Sequence, residues 1–410
     1  MSWSGLASNQ CVSYNNLQDA VTTGVFALKN SIPVSSKQIT KAQAENCVYI
    51  NSVAGKSATQ LIVKSNLVPY TVGPGPYNYY VYGVSSNYFY KSTNGGFTFA
   101  QKYYNASGNL SAVAANYSGQ YIALGSNYQD NLIYISNDYG VSFHTVSITG
   151  VCSVCTFQNF WVLDIDMSSS GQYMAVVGKN FSGSTSGYIT VAVSTDYGVS
   201  FNLYTTYQAK LATHASVSVS ADGSAITYVA ADYFGHPGYD SWIYTSTTSG
   251  SIFTFRGVST NQLFNDVAVS GNGQYQVIIN RGTSSTGNIF VSSDYGLNFL
   301  DKAVVGYPFC CSINDQGFNM TVGISQVGGA TVLYSSNNYG ANFYDVGSGA
   351  GTYTNGVATS TDGTLPTIPY SASFSANQCY YWPNNSVATY YDQPSTTILF
   401  NKVYRRAIPY

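Results

Sequence analysis

Short runs of alternating apolar and polar residues fill most of the chain, among them YITVAV, DVAVS and the VSVS ahead of Ala221, and a turn signal closes each one. A period of two sends successive side chains to opposite faces, which predicts half-buried strands. One eight-residue phrase recurs between the runs: SNDYGVSF from Ser136, STDYGVSF from Ser194, SSDYGLNF from Ser292 and SNNYGANF from Ser336, with looser copies from Ser92 and Ser246. Apolar runs such as NLIYI, SWIYT, NIFV and TVLY precede the copies. Gly supplies a positive φ and Asp or Asn bonds the turn backbone, so the phrase predicts a hairpin.

A second series of glycines, Gly119, Gly171, Gly223, Gly273, Gly317 and Gly363, falls between the phrases in settings such as SGQYIALG and GNGQYQVII. Each follows an alternating run and precedes an apolar one, which reads as another hairpin. Two hairpins make four antiparallel strands, and the third position of the phrase recurs every 44 to 58 residues. A four-stranded unit of that period cannot bury both faces alone and packs radially as a propeller blade. The predicted fold is therefore all-β, a seven-bladed β-propeller over residues 73–410. The incomplete unit YNYYVYGV with NYFYKSTNGGFTF is then closed by TTILFNKVYR or by the strand near Val357. Six blades and a C-terminal appendage is the alternative, because Pro366, Pro369 and Pro383 interrupt the last repeat.

The phrase S-x-D-x-G-x-x-[FW] resembles the Asp-box, or BNR repeat, of sialidase-like propellers. Ser136, Asp138, Gly140 and Phe143 match it in full, as do Ser194, Asp196, Gly198 and Phe201, and Ser292, Asp294, Gly296 and Phe299. The copy with Ser336, Gly340 and Phe343 carries Asn338 in place of the acid. The resemblance implies that these are structural turns between the third and fourth strands of a blade, away from any catalytic face. It speaks to fold and says little about function.

Residues 1–72 depart from the repeat. Leu17, Ala20, Val21 and Leu28 share one helical face, and Thr40 with Gln43 fits a capping box, so a small α-containing module is expected there. Its order of CVSYNNLQDA, SIP, KQITKAQAE and QLIVKSNLV is similar to modules of virion and tail proteins of phages that infect Bacteroidetes. That resemblance implies an attachment module contacting other virion proteins; a helical cap on the propeller edge is the other reading.

Composition narrows the setting. The 410 residues are 45% hydrophobic, with 39 Tyr and 39 Gly, yet only 8% are charged, against roughly a quarter in ordinary soluble domains. Such a chain buries a large core and is solubilised by hydroxyls and amides, as in viral fibres, adhesins and secreted binding modules. With a net charge of −2 and scattered bases it offers no groove for a nucleic acid. MSWSGLASNQCVSYNN lacks the basic and apolar regions of a signal peptide, and no membrane span is legible. Release within an assembled virion would display such a chain outside a cell. The seven cysteines do not fall one pair per repeat, and Cys152 with Cys155 has no partner pair at zinc spacing. Neither a disulfide framework nor a metal or other cofactor is expected.

The resemblance to sialidases implies three arginines, a Tyr–Glu pair and an acid/base Asp. The repeats carry only Arg256 and Arg281 outside the tail, FRGV at Phe255 replaces the F-R-I-P signature, and the sole Glu, Glu45, lies outside them. A general glycosidase needs two carboxylates about 5.5 Å apart, or roughly 6.5–9.5 Å for inversion. Asp164 and Asp266 stand seven residues before the turn glycines of their repeats, and Asp166 shares a strand face with Asp164. These acids either bond backbone amides, hold a cation or water in the channel, or form a hydrolytic pair.

Aromatic residues cluster in two predicted connections: Phe157, Phe160 and Trp161 in one, and Tyr233, His236, Tyr239 and Trp242 in the other. Stacking platforms beside hydroxyls and carboxylates suit sugar rings, while packing between blades would use the same residues. The expectation is a non-enzymatic virion or extracellular surface component that recognises host glycans through these residues with Asp164, Asp166 or Asp266. A virion structural protein without ligand and a secreted glycoside hydrolase are the alternatives.

Overall fold

The computed structural model describes residues 79–349 apart from 94–98, 107–108, 128–130, 149–158, 182–186, 206–213, 232–239, 261–262, 285 and 326–330. It also describes strands at 11–12, 48–50, 61–63, 354–360, 368–371, 378–381, 389–392, 402–403 and 406–409. The chain divides into two units, Met1–Gly75 and Pro76–Tyr410. The first contains an antiparallel sheet of Cys11–Val12, Val48–Ile50 and Leu61–Val63. The helices expected around Leu17–Leu28 and Thr40 lie outside the described residues.

In the second unit, the alternating runs become strands and the two glycine series become the turns between them. Five four-stranded antiparallel meanders follow one another, opened by the strands Leu110–Ala115, Asn159–Met167, His214–Val219, Phe264–Val269 and Tyr307–Ile313. Each of these first strands lies against the first strand of the next sheet, and the series continues to Thr354–Ser360. That strand neighbours Lys402–Val403, which in turn neighbours Leu110–Ala115. First strands ringed about an axis, with each sheet radiating outward, make a β-propeller.

Ring closure falls to the C-terminal end of the chain. Lys402 and Val403 pair with Val84 and Gly83 of the strand Tyr79–Ser85, antiparallel, so the last strands join the first sheet of the unit. The segments Thr354–Ser360 and Ile368–Ser371 form a hairpin, as do Gln378–Tyr381 and Thr389–Asp392.

Burial follows the radial order. All six residues of Ile226–Ala231 and of Met320–Ser325 are buried, whereas the outermost strands Ala100–Tyr104 and His144–Ser147 are largely exposed. Middle strands sandwiched between neighbouring sheets read as continuous apolar runs for that reason.

The second glycine series sits at φ between +72° and +81°, at Gly119, Gly171, Gly223, Gly273 and Gly317. A side chain there meets the preceding sheet: a Cβ on Gly223 would lie 2.1 Å from Tyr173 Cδ2. Beside these turns a backbone relay crosses from sheet to sheet. Tyr117 N donates to Ser169 O, Ser169 N to Ala221 O, Asp222 N to Gly271 O, and Gly271 N to Asp315 O, at 2.8–3.3 Å.

Candidate functional site

The recurring phrase forms one turn many times over. Ser136, Ser194 and Ser292 each close the third strand of a sheet, and their hydroxyls donate to Asp138, Asp196 and Asp294 at 2.7–2.8 Å. The same hydroxyls accept the amides of Gly140, Gly198 and Gly296 at 2.9 Å. Each carboxylate then reaches forward to the amide four residues on, at Ser142, Ser200 and Asn298. Asn338 reproduces the pattern with its carbonyl oxygen, accepting from Ser336 and from Asn342 N. Phe143 and Phe343 pack against the core, as do Phe201 and Phe299. Bonds from the Ser142 hydroxyl, the Ser142 amide and Ser136 pull the Asp138 carboxyl down to about 2, against a small opposing effect of burial. These residues build turns.

All of these turns, and those of the second glycine series, cap one end of the strands, joined by bonds such as Tyr197 N to Gln172 O. The opposite end, the loop face, is where each first strand begins. Tyr233, His236, Tyr239, Phe157 and the Cys152–Cys155 pair lie outside the described residues.

The remaining aromatic candidates differ from expectation. Phe160 is fully buried and Trp242 nearly so. The Phe160 ring fills the space above Gly178, where a Cβ would fall 2.4 Å from its Cζ. Trp242 belongs to the apolar cluster around Val177, Val217 and Tyr228. Both lie inside strands, at positions whose period-two side faces the adjacent sheet, so they are packing between blades and not platforms for a ring. Trp161 is half-buried, opposite Lys179 in register.

The three acids do share a neighbourhood. Asp164, Asp166 and Asp266 are almost completely buried. Asp164 and Asp266 occupy equivalent sites, each just past a bulge in its first strand. Asp164 Oδ2 lies 2.7 Å from the Ser216 hydroxyl oxygen and accepts from Val217 N at 3.2 Å. Asp166 Oδ2 accepts from the Ser218 hydroxyl at 2.9 Å and from Val219 N at 2.8 Å, while its Oδ1 takes Met167 N at 2.9 Å. Asp266 accepts from Ser216 at 2.7 Å, from Val267 N at 3.1 Å and from Cys311 N at 3.0 Å. The carboxylates thus lace the first strands of successive sheets together, the first of the roles open to them from sequence. Among the described residues there is no cluster of three His, Cys, Asp or Glu able to hold a metal ion.

At the loop end the described residues bring together a different group. Arg281 is exposed, one residue past Asn280 in the strand Gln276–Ser284, with its guanidinium carbon 4.9 Å from the centre of the Phe309 ring. Phe309 is fixed by Asn265, whose Nδ2 donates to its carbonyl at 2.8 Å. His214 opens the neighbouring first strand, and burial together with the Arg281 charge holds its imidazole below the usual range. At neutral pH this side chain is therefore an uncharged donor and acceptor beside a cation. Pattern reading from sequence missed the group because its members come from three repeats and no spacing links them. The available signal was that Arg281 is one of only two arginines in the repeats.

No protein-family model matches the sequence, and no curated relative does. Among solved structures, the chain is similar to a provisionally named 6-phosphogluconolactonase from Bacteroides uniformis, at 14% identity and a TM-score of 0.55 over 80% of this chain and 99% of that one. A provisionally named 6-phosphogluconolactonase from Bacteroides fragilis superposes with the same score at 10% identity, covering 80% and 98%. A protein from Lactobacillus plantarum follows at 10% identity and 0.53, again covering 80% and 98%. At such identities the likeness is one of fold.

Proposed function

We propose that this chain is a non-enzymatic scaffold of virion or extracellular surface type, whose propeller displays a binding face and whose residues 1–72 attach it to other virion proteins. The observation that carries this reading is the engagement of Asp164, Asp166 and Asp266 by donors of the adjoining strands. A glycoside hydrolase needs its two carboxyls facing a substrate, and these face protein. The recurring turn is read as an Asp-box, in keeping with its Ser, Asp and Gly bonding. The blade count proposed is seven, supported by five meanders, the hairpins from 354 to 392, and the sheet that Lys402–Val403 completes on Tyr79–Ser85.

The ligand proposed for the loop face is a host glycan. Arg281 over the partly exposed Phe309 ring, with His214 adjoining, supplies a cation and an aromatic ring, groups that sugar-binding sites use. The names of the structural neighbours favour a second reading, a sugar-lactone hydrolase. One experiment separates the two: a glycan array probed in parallel with turnover assays on 6-phosphogluconolactone and aryl glycosides. The scaffold reading expects glycan binding that Arg281→Gln abolishes, and no turnover. Turnover that Asp164→Asn or Asp266→Asn abolishes would replace it with the enzyme reading.

A further inference from the structure

Seven residues before Gly171, Gly223 and Gly273 stand Asp164, Ser216 and Asp266. One level of three successive first strands therefore carries an acid, a hydroxyl and an acid. Ser216 Oγ lies 2.7 Å from Asp164 Oδ2 and 2.7 Å from Asp266 Oδ1, and all three side chains are buried. Both contacts have the length of a strong hydrogen bond to a carboxyl oxygen. A serine hydroxyl has one proton and donates once. Two such contacts on one hydroxyl need a second proton, and only a carboxyl can bring it.

The surrounding donors decide which carboxyl that is. Asp266 receives amides on both oxygens, from Val267 at 3.1 Å and from Cys311 at 3.0 Å, so each oxygen already acts as an acceptor. Asp164 Oδ2 receives Val217 N at a longer 3.2 Å. We propose that Asp164 is held as the neutral acid, donating its proton to Ser216 Oγ, while Ser216 donates to ionised Asp266, in one directed chain across three sheets. Other charged groups on the elements packed here are Asp166, bonded to Ser218 and Val219, Lys179 opposite Trp161, and Arg281 with His214 at the loop end. A neutral and an ionised carboxyl side by side are what an acid–base enzyme uses, but here the proton is spent on joining sheets. The inference does not depend on any ligand.

Two variants and one spectrum test it. Asp164→Asn supplies an amide N–H to Ser216 where the carboxyl proton was and gives up only the 3.2 Å Val217 contact, so it is expected to melt closer to the wild type than Asp266→Asn. Asp266→Asn turns an amide N–H toward the Val267 or Cys311 N–H, and is expected to melt at a clearly lower temperature. Carbon NMR of the wild type labelled at aspartate carboxyls should show one protonated carboxyl at neutral pH, and Asp164→Asn should remove it. Equal loss of stability in both variants, or carboxyl carbons that are all ionised at neutral pH, would overturn the proposal. The wild-type spectrum decides even where a variant fails to fold.

Discussion

Ser194 and Asp196 are joined by a 2.7 Å hydrogen bond in which the serine donates, and the same serine oxygen accepts the Gly198 amide at 2.9 Å. The pair therefore fixes its own turn from inside, through bonds to Gly198 and Ser200. Burial works to raise the Asp196 carboxyl, but bonds from the Ser200 hydroxyl and amide, Ser194 and Val199 outweigh it, and the net shift is downward. Asp196→Ala should cost about 1–2 kcal/mol in a denaturation experiment, from the lost bonds to a partly exposed acceptor, and leave ligand binding intact.

Acid should act on the same turns. A carboxyl depressed in the folded state binds fewer protons than in the unfolded chain, so its contribution is complete above the unfolded value and is lost as pH falls toward the folded one. For Asp138 that window runs from the ordinary carboxylate range down to about 2. Melting temperature should drop through this window in the wild type, and less steeply in Asp138→Asn.

Gly223 is irreplaceable on two counts, its φ of +78° and the Tyr173 ring that would stand 2.1 Å from a Cβ. Gly223→Ala should destabilise by more than the ~1 kcal/mol of an unfavourable φ alone. The sequence announced the turn, since Gly recurs at each equivalent position. It did not announce the ring, because Tyr173 belongs to the preceding repeat and contact between repeats has no period within one.

That distinction governs what could be read in advance. Strand alternation, the two turn series and the equivalence of Asp164 with Asp266 are local or periodic, and each was visible in the residues. Ser216 stands at the same position of the intervening repeat, yet a search for acids passes over a hydroxyl. Phe160 and Trp242 look like platforms in a linear sequence. Only the facing sheet reveals that their rings are enclosed, and aromatic composition carries no sign of which face a strand presents.

Phe160→Ala should accordingly behave as a core truncation, costing roughly 3–5 kcal/mol, with any loss of binding tracking loss of fold. Chemical denaturation beside a binding assay on the remaining folded fraction checks it; a stable variant that had lost binding would restore Phe160 to the ligand site.

Deleting residues 401–410 removes the strand at Lys402–Val403 that pairs with Val84 and Gly83. The first sheet then has an unpaired inner edge, and an open ring exposes strand backbone to other chains. Melting should occur at lower temperature and end in aggregation, whereas unchanged melting would show that closure lies elsewhere.

In the proposed function the inner acids hold sheets together and the loop end meets the ligand. The most direct measurement takes Asp266→Ala and Arg281→Gln through thermal melting and a glycan array together. The predicted result is a lowered melting temperature for Asp266→Ala, and for Arg281→Gln a wild-type melt with binding lost. An Asp266→Ala protein that melts like the wild type but no longer binds or turns over a sugar would contradict it.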